Sequence, residues 1–496
     1  MTSLPHLFLS AAQTSPEEPF IHFEGTAYSY SDLHAHVSRA AGSLRAWGLQ
    51  KGERVALYLE NSPSFVAAYL GTLWLGGVVV LVNTRYKETE LRYILGDSGA
   101  KLVVTDAERI GNLEGVLGDS IDVTEIGQSL AQDDEVWQRF APHPPLTEPA
   151  AISSDDLAVI AYTSGTTGRA KGATLTHSNF VSNSRAVTRA WGWTAADHLL
   201  LALPLFHMHG LGVGLHGTLL QGSMITLKRT FDAAEVLSEL RRGHVTMFFG
   251  VPTTVSRLLS EARRSETHAL RLLVSGSAPL SPQVMEQAEQ TFGLRILERY
   301  GMTETVMNLG NPLHGERKAG SVGIPFEGVE VRIVNEGGQT VKWGEVGELQ
   351  VRGSNVTKGY WNKPAETEAS FVDGWFKTGD LGLQDEDGYY YLTGRAKDLI
   401  ITGGFNVYPR EIEEVLAQHN AVREVAVLGL PDDDLGEKVV AVVVAAEEVP
   451  PSELQALCKE RLAGFKKPKE VYFVDELPRN ALGKVQKHVL RERLEV

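Results

Sequence analysis

The 496-residue chain has one cysteine, no net basic charge and no apolar run long enough to cross a membrane, and each lack excludes something. A single thiol, Cys458, cannot close an internal disulfide, so the chain fits a reducing compartment. Its setting, PSELQALCKERL, reads as an ordinary helix with Leu454, Leu457 and Leu462 on one face, which offers nothing to activate a catalytic thiol. The formal charge of -15 argues against a nucleic-acid partner, which needs a basic face to displace counterions from phosphates. The first residues, MTSLPHLFLSAAQTSPEEP, have no basic leader and too short an apolar stretch for a signal peptide or a membrane span. The expectation is a cytoplasmic protein with no stable membrane insertion. No internal repeat is present.

What is abundant is glycine, 49 residues of it, and the densest use is YTSGTTGRAKG, from Tyr162 to Gly172. Thr163, Ser164, Thr166 and Thr167 offer hydroxyls, Gly165, Gly168 and Gly172 leave backbone amides open to an anion, and Lys171 adds a positive charge. Such a loop can wrap a polyphosphate. The Walker pattern is not met, because Gly172 follows Lys171 where a magnesium-binding hydroxyl would stand, which argues against a P-loop kinase or GTPase. The bland alternative for this stretch alone is a solvated Ser/Thr/Gly linker.

A chain of this length divides into more than one core. Apolar runs at 54–59, 65–83 and 100–106, then at 198–204, 223–228 and 245–252, alternate with helical patterns, which predicts parallel sheets covered by helices. The polar stretch 118–156 is expected to be a surface connection. Between 331 and 394 short strand-like pieces punctuated by glycine predict a compact antiparallel, barrel-like subdomain. Beyond Arg395 the pattern returns to mixed strands and helices. The expectation is an α/β chain with a large domain of stacked α/β sheets over 1–395 and a small mobile α+β domain over 396–496.

Five further segments follow the loop in series: SGSAPL (275–280), ERYGMTE (298–304), KTGDLG (377–382), GRAKDLIITGGFNVYP (394–409) and PRNALGKVQK (478–487). Together with the loop they resemble the motifs of the adenylate-forming enzymes, which include acyl-CoA synthetases, luciferases and peptide-synthetase adenylation domains, over nearly the whole chain. The resemblance implies ATP, Mg2+ and coenzyme A as the small molecules handled, with a carboxylic acid as substrate. It assigns Ser277, Ala278, Pro279, Glu298, Tyr300, Gly301, Met302 and Thr303 to nucleotide binding beside the loop, and Thr303, Glu304, His207 and Lys484 to the chemistry. Residue chemistry agrees: the Tyr300 ring offers a face to adenine, Asp380 accepts from ribose hydroxyls, and Arg395 reaches ribose or phosphate oxygens. Glu304, with Thr167, is the expected magnesium site. Lys484 is implied to bridge carboxylate and α-phosphate during adenylation. Lys397 is implied to be the hinge that withdraws it so that a thiol can attack, with Gly403 and Gly404 lining the thiol's path; the alternative for that glycine pair is a plain turn.

Acids of apolar or aromatic character are accepted in this family where glycine precedes the motif tyrosine, and this chain has Arg299 there. In an extended segment Arg299 projects opposite to Glu298 and Tyr300, toward the acyl side. His209 and Ser277 stand at acyl-contact positions, and His207 at the aromatic gate. A desolvated guanidinium calls for an anion, so Arg299 and His209 are expected to clamp a second carboxylate. The stretch 298–323 resembles malonyl-CoA synthetases, which makes malonate or methylmalonate the expected substrate. Three alternatives stand beside it: a medium- or long-chain fatty acyl-CoA synthetase, an adenylation enzyme with a carrier-protein acceptor, and a catalytically silent nucleotide-binding homologue. Arg299 could also pair internally with Glu298.

Overall fold

The structure, a computed structural model, describes residues 3–117, 121–125, 143–163, 170–262, 269–479 and 484–494. These fall into two compact units: Met1–Ala319 with Gly323–Glu330 and Val351–Phe376, and Gly320–Val322 with Val331–Gln350 and Lys377–Val496. Among the described residues no helix is long and apolar enough to cross a membrane.

In the first unit, one six-stranded sheet runs Asp122–Glu125, Leu102–Thr105, Arg54–Tyr58, Val78–Leu81, Leu157–Thr163, Lys171–Thr176. Its neighbours are parallel except the last two, which form an antiparallel hairpin. Val78–Leu81 is buried at every position, the signature of a parallel strand covered on both faces. The apolar run 65–83 divides into the end of a helix, Pro63–Trp74, and this strand. Ser62 starts the helix by accepting from the Phe65 amide, with Pro63 at its first position, and Gly76 at φ 77° turns the chain out of it. Because that helix is buried all round, no polar face marks its period in the sequence.

A second sheet of this unit orders Thr26–Ser29, Pro19–Phe23, Met224–Leu227, His198–Leu201, Met247–Gly250, Leu272–Ser275 and Leu297–Tyr300. From Pro19–Phe23 onward its strands are parallel. The strands therefore end together, with Gly250 paired to Ser275 and Ser275 to Glu298, at the carboxyl edge where open parallel sheets bind ligands.

The second unit takes most of a strand run ordered Val329–Val334, Gly347–Gly353, Trp375–Gln384, Tyr390–Arg395, the glycine-punctuated stretch, the last two of which pair antiparallel. It also holds a small sheet ordered Phe405–Val407, Ile400–Thr402, Gly436–Ala445, Val422–Asp432, with Glu470–Phe473 parallel to Gly436–Ala445. Alternation along Gly436–Ala445 sends Val439, Ala441 and Val443 toward Ile412, Leu416 and Leu454, and Val440, Val442 and Val444 toward Leu477 and Leu490. Cys458 belongs to the first of these clusters, fully buried on the helix Pro451–Arg461, and burial pushes its thiol up to about 11.

Candidate functional site

The hairpin Leu157–Thr163/Lys171–Thr176 closes on the rung Thr163–Lys171, which holds the two ends of the predicted phosphate loop opposite one another. Ser164, Gly165, Thr166, Thr167 and Gly168 lie outside the described residues. Beside the rung stands Glu304, 5% exposed, with its backbone carbonyl fixed by the Thr357 amide at 2.7 Å. Glu304 Oε1 accepts from Tyr360 Oη at 3.0 Å and, more weakly, from Thr163 Oγ1 at 3.4 Å. The Tyr360 ring lies 5.3 Å from Lys171 Nζ, within cation–π range. Tyr360 thus touches both the carboxylate and the loop lysine, and nothing in its local sequence, NVTKGYW, singled it out. Only tertiary pairing, through its bridge to Ala173, brings it there.

Among the described residues no group of three or more His, Cys, Asp or Glu side chains could cage a metal. One buried carboxylate is nevertheless what magnesium on a nucleotide needs, since that ion keeps waters and takes its remaining ligands from phosphates. Glu304 fits that donor set.

At the carboxyl edge of the second sheet, Leu297–Tyr300 is a strand, as the alternation argument requires. All four residues are buried. Glu298 Oε1 accepts from the Leu280 amide at 3.0 Å, and its carbonyl accepts from the Asn311 amide and Asn311 Nδ2, each at 3.0 Å. Its side chain therefore ties down the loop 276–280 that carries Ser277, Ala278 and Pro279. Tyr300 is 7% exposed, and the chain then turns sharply: a Cβ on Gly301 would meet the Val306 carbonyl oxygen at 2.0 Å, and Val306 takes φ 56°. Met302 and Thr303 are half-buried in that turn.

Arg299 points the other way and is 3% exposed. Its Nη2 donates to Ser277 Oγ at 3.1 Å, a hydroxyl presented by a left-handed backbone of φ 69°. Gly276 is required for this approach, because a Cβ there would lie 2.5 Å from Arg299 Nε. His209 is equally buried and stacks on Phe249, with ring centroids 5.8 Å apart. Among the described residues Arg299 Nε, both His209 ring nitrogens and Ser275 Oγ have no hydrogen-bond partner, and no carboxylate forms an ion pair with Arg299. Burial pulls Arg299 down to about 9, with Glu298 opposing, so it stays cationic at neutral pH. Burial, then the Arg299 charge, holds His209 well below the ordinary histidine range, so it is a neutral imidazole able to donate one N–H. His209 also opens a π-helical turn, His209–Leu215, a geometry that recurs at functional sites. His207, lowered to about 4 by burial, lines a small cavity with Thr303, Tyr162 and Met208.

In the second unit, Asp380 and Arg395 sit opposite one another on paired strands, with Arg395 Nε 2.7 Å from Asp380 Oδ1. Asp380 is 5% exposed, while the Arg395 side chain keeps 30% of its surface open. Lys484 is exposed as a residue, yet desolvation of its ammonium and the Arg395 charge pull it down to about 8, while Asp380 and Asp398 pull it up. Lys397 lies in the 3-10 turn Ala396–Asp398. Gly403 and Gly404, at φ 56° and 81°, form the two-residue link of the hairpin Ile400–Thr402/Phe405–Val407, a turn that needs positive φ at both positions.

Residues 8–361 match the family model of AMP-binding enzymes, and residues 411–484 that of the AMP-binding enzyme C-terminal domain. The chain is 37% identical over 488 residues to a feruloyl-CoA synthase of an Amycolatopsis species, with 97% of each chain covered. It is 36% identical to the malonate–CoA ligase of Arabidopsis thaliana, covering 98% of this chain and 88% of that one. Among solved structures, ATP-bound MatB from Rhodopseudomonas palustris superposes with a TM-score of 0.95 at 40% identity, covering 100% of this chain and 99% of the other.

Proposed function

The chain belongs to the AMP-binding enzymes, adenylate-forming acid–CoA ligases that work with ATP, Mg2+ and coenzyme A, and from that premise we propose that its acid is a short dicarboxylate, malonate or methylmalonate. The observation that carries this reading is Arg299: a buried guanidinium that forms no ion pair among the described residues, beside a neutral His209 and Ser277. A desolvated charge in that state is costly unless the ligand supplies the counter-ion. The distal carboxylate of a dicarboxylic acid does so, accepting from Arg299 Nε and from whichever His209 nitrogen carries hydrogen. Ferulate and fatty acids, the acids named for two similar ligases, bring no such charge, and on this reading they are poorer substrates.

With the far carboxylate held, the near one attacks the α-phosphorus of ATP; a P–O bond forms and the bond to pyrophosphate breaks. Thr163 and Lys171 hold phosphate oxygens, and Lys484 stabilises the negative charge that builds on the α-phosphate, a role in which one donor is worth roughly 3 kcal/mol. Glu304 would hold magnesium, which when bound neutralises charge on the phosphates. Tyr300 faces adenine, while Asp380 and Arg395 take the ribose. The thiol of coenzyme A then attacks the acyl carbon, the thioester forms and AMP leaves. Division of the chain at 395/396, with Lys397 as hinge and Gly403–Gly404 beside the thiol, belongs to the same reading.

The test is a panel of carboxylic acids assayed for AMP release with and without coenzyme A. Malonate or methylmalonate is expected to exceed butyrate, octanoate and ferulate in kcat/KM by about a hundredfold or more, the scale of one missing charged contact. Preference for an uncharged tail would reject the substrate assignment and leave the ligase identity standing.

A further inference from the structure

We propose that Asp97 and Tyr93 are positioning residues for ATP, gripping both strands of the phosphate hairpin from one helix face and so setting where Thr163 and Lys171 stand. The inference rests on the reading that those two residues meet phosphate.

Neither residue belongs to any motif considered above. Both lie on the helix Glu88–Ser98, four residues apart and hence on the same face. Asp97 Oδ2 accepts from Tyr162 Oη at 2.7 Å, and Tyr93 Oη donates to the Ala170 carbonyl at 2.8 Å. Tyr162 immediately precedes Thr163, and Ala170 immediately precedes Lys171. The two tyrosines meet edge to face, with ring centroids 6.4 Å apart. Gly172, paired with Tyr162 across the hairpin, makes the geometry possible: a Cβ there would come within 3.1 Å of the Tyr162 ring.

Asp97 is poorly placed for the helix itself. A carboxylate in the last turn opposes the helix dipole, and that turn has no basic residue to offset it. Compensation comes from outside, through Lys363 Nζ at 3.1 Å from Asp97 Oδ1, with only 11% of the Asp97 side chain exposed. Lys363 lies three residues beyond Tyr360, which holds Glu304. The same brace therefore joins the segment that fixes the carboxylate to the hairpin that carries the lysine.

The experiment measures ATP affinity by calorimetry without acid substrate, alongside KM for ATP and for the acid. Asp97→Asn is expected to raise Kd and KM for ATP about tenfold while leaving the acid KM within about twofold, because a small displacement of phosphate ligands is felt where they act. Tyr93→Phe removes one bond to a carbonyl and is expected to raise them about threefold. Added to Tyr162→Phe, Asp97→Asn should weaken ATP binding by a smaller factor than it does alone, since the two share a bond. Lys171→Ala is the reference. If it weakens ATP binding and Asp97→Asn, Tyr93→Phe and Tyr162→Phe do not, the brace is rejected; if Lys171→Ala itself changes nothing, the phosphate assignment fails. Parallel loss of ATP and acid affinity in Asp97→Asn would mark general packing damage and also reject the proposal. Should Asp97→Asn not fold, the two phenylalanine variants decide the question by the same criteria.

Discussion

Arg299 in the first unit is 3% exposed, forms no ion pair among the described residues and stays cationic at neutral pH. Lys484 in the second stands among Arg395, Asp380 and Asp398 and has been brought down to about 8. The contrast matches two kinds of anion. On the proposed reading, a carboxylate that is charged throughout the reaction is met by a guanidinium that is cationic at neutral pH. A charge that exists only as bonds rearrange is met by a compact ammonium whose environment is adjustable. In that reading recognition and catalysis use different cations, which can be damaged separately.

The largest effect expected follows from Lys484→Ala, which should slow pyrophosphate exchange by about a thousandfold, the upper range for one transition-state donor. The same variant should convert supplied acyl-adenylate to thioester at close to the parent rate; equal loss in both half-reactions would erase the distinction. Next, Arg299→Ala should lower kcat/KM for malonate by about a hundredfold with ATP KM nearly unchanged, whereas Arg299→Lys should recover only part of it. Unaltered malonate kinetics would overturn the clamp. A third comparison uses pH. On the proposed reading the charged form of Lys484 is the active one and its value is about 8, so kcat/KM for adenylation should fall as pH rises through 8, below the fall near 9 that loss of the Arg299 charge would bring. A flat profile to pH 10 would remove the basis for calling Lys484 adjustable. Gly276→Ala sharpens the other side, since its Cβ displaces the guanidinium without removing it; acid KM should rise about tenfold, on the scale of 1–3 kcal/mol for overpacking. The smallest effect is expected for Tyr360→Phe, which keeps the ring under Lys171 and deletes the bond to Glu304. A rise of about threefold in the magnesium concentration needed for half-maximal rate, read by titration, is the outcome to check.

The parts of this arrangement visible from sequence are those with a local rule behind them. Strand period alone sends Arg299 away from Glu298 and Tyr300, and the structure has it so. Glycine and hydroxyl spacing mark the proposed phosphate loop, and the described ends of that segment, Thr163 and Lys171, form a hairpin rung. Hidden features depend on pairing between distant segments. Tyr360 reaches Glu304 only because Trp361 and Thr174 hydrogen-bond the two segments together through Gly172 and Gly359. Asp97 carries no motif and reads as a solvated helix charge until Tyr162 and Lys363 are seen on it. Gly276 looks like any loop glycine before the guanidinium behind it is known. The apolar run 65–83 hides its helix for a simpler reason, that a segment buried on every side shows no periodicity to read.

Cys458, sealed in a helix with its thiol held largely protonated, leaves the chain without a reactive sulfur of its own. A cysteine introduced at an exposed position in either unit would therefore take up a maleimide dye by itself, with no need to strip the background first. Two such labels on opposite sides of Lys397 would turn the supposed swing between half-reactions into a distance that fluorescence transfer can follow.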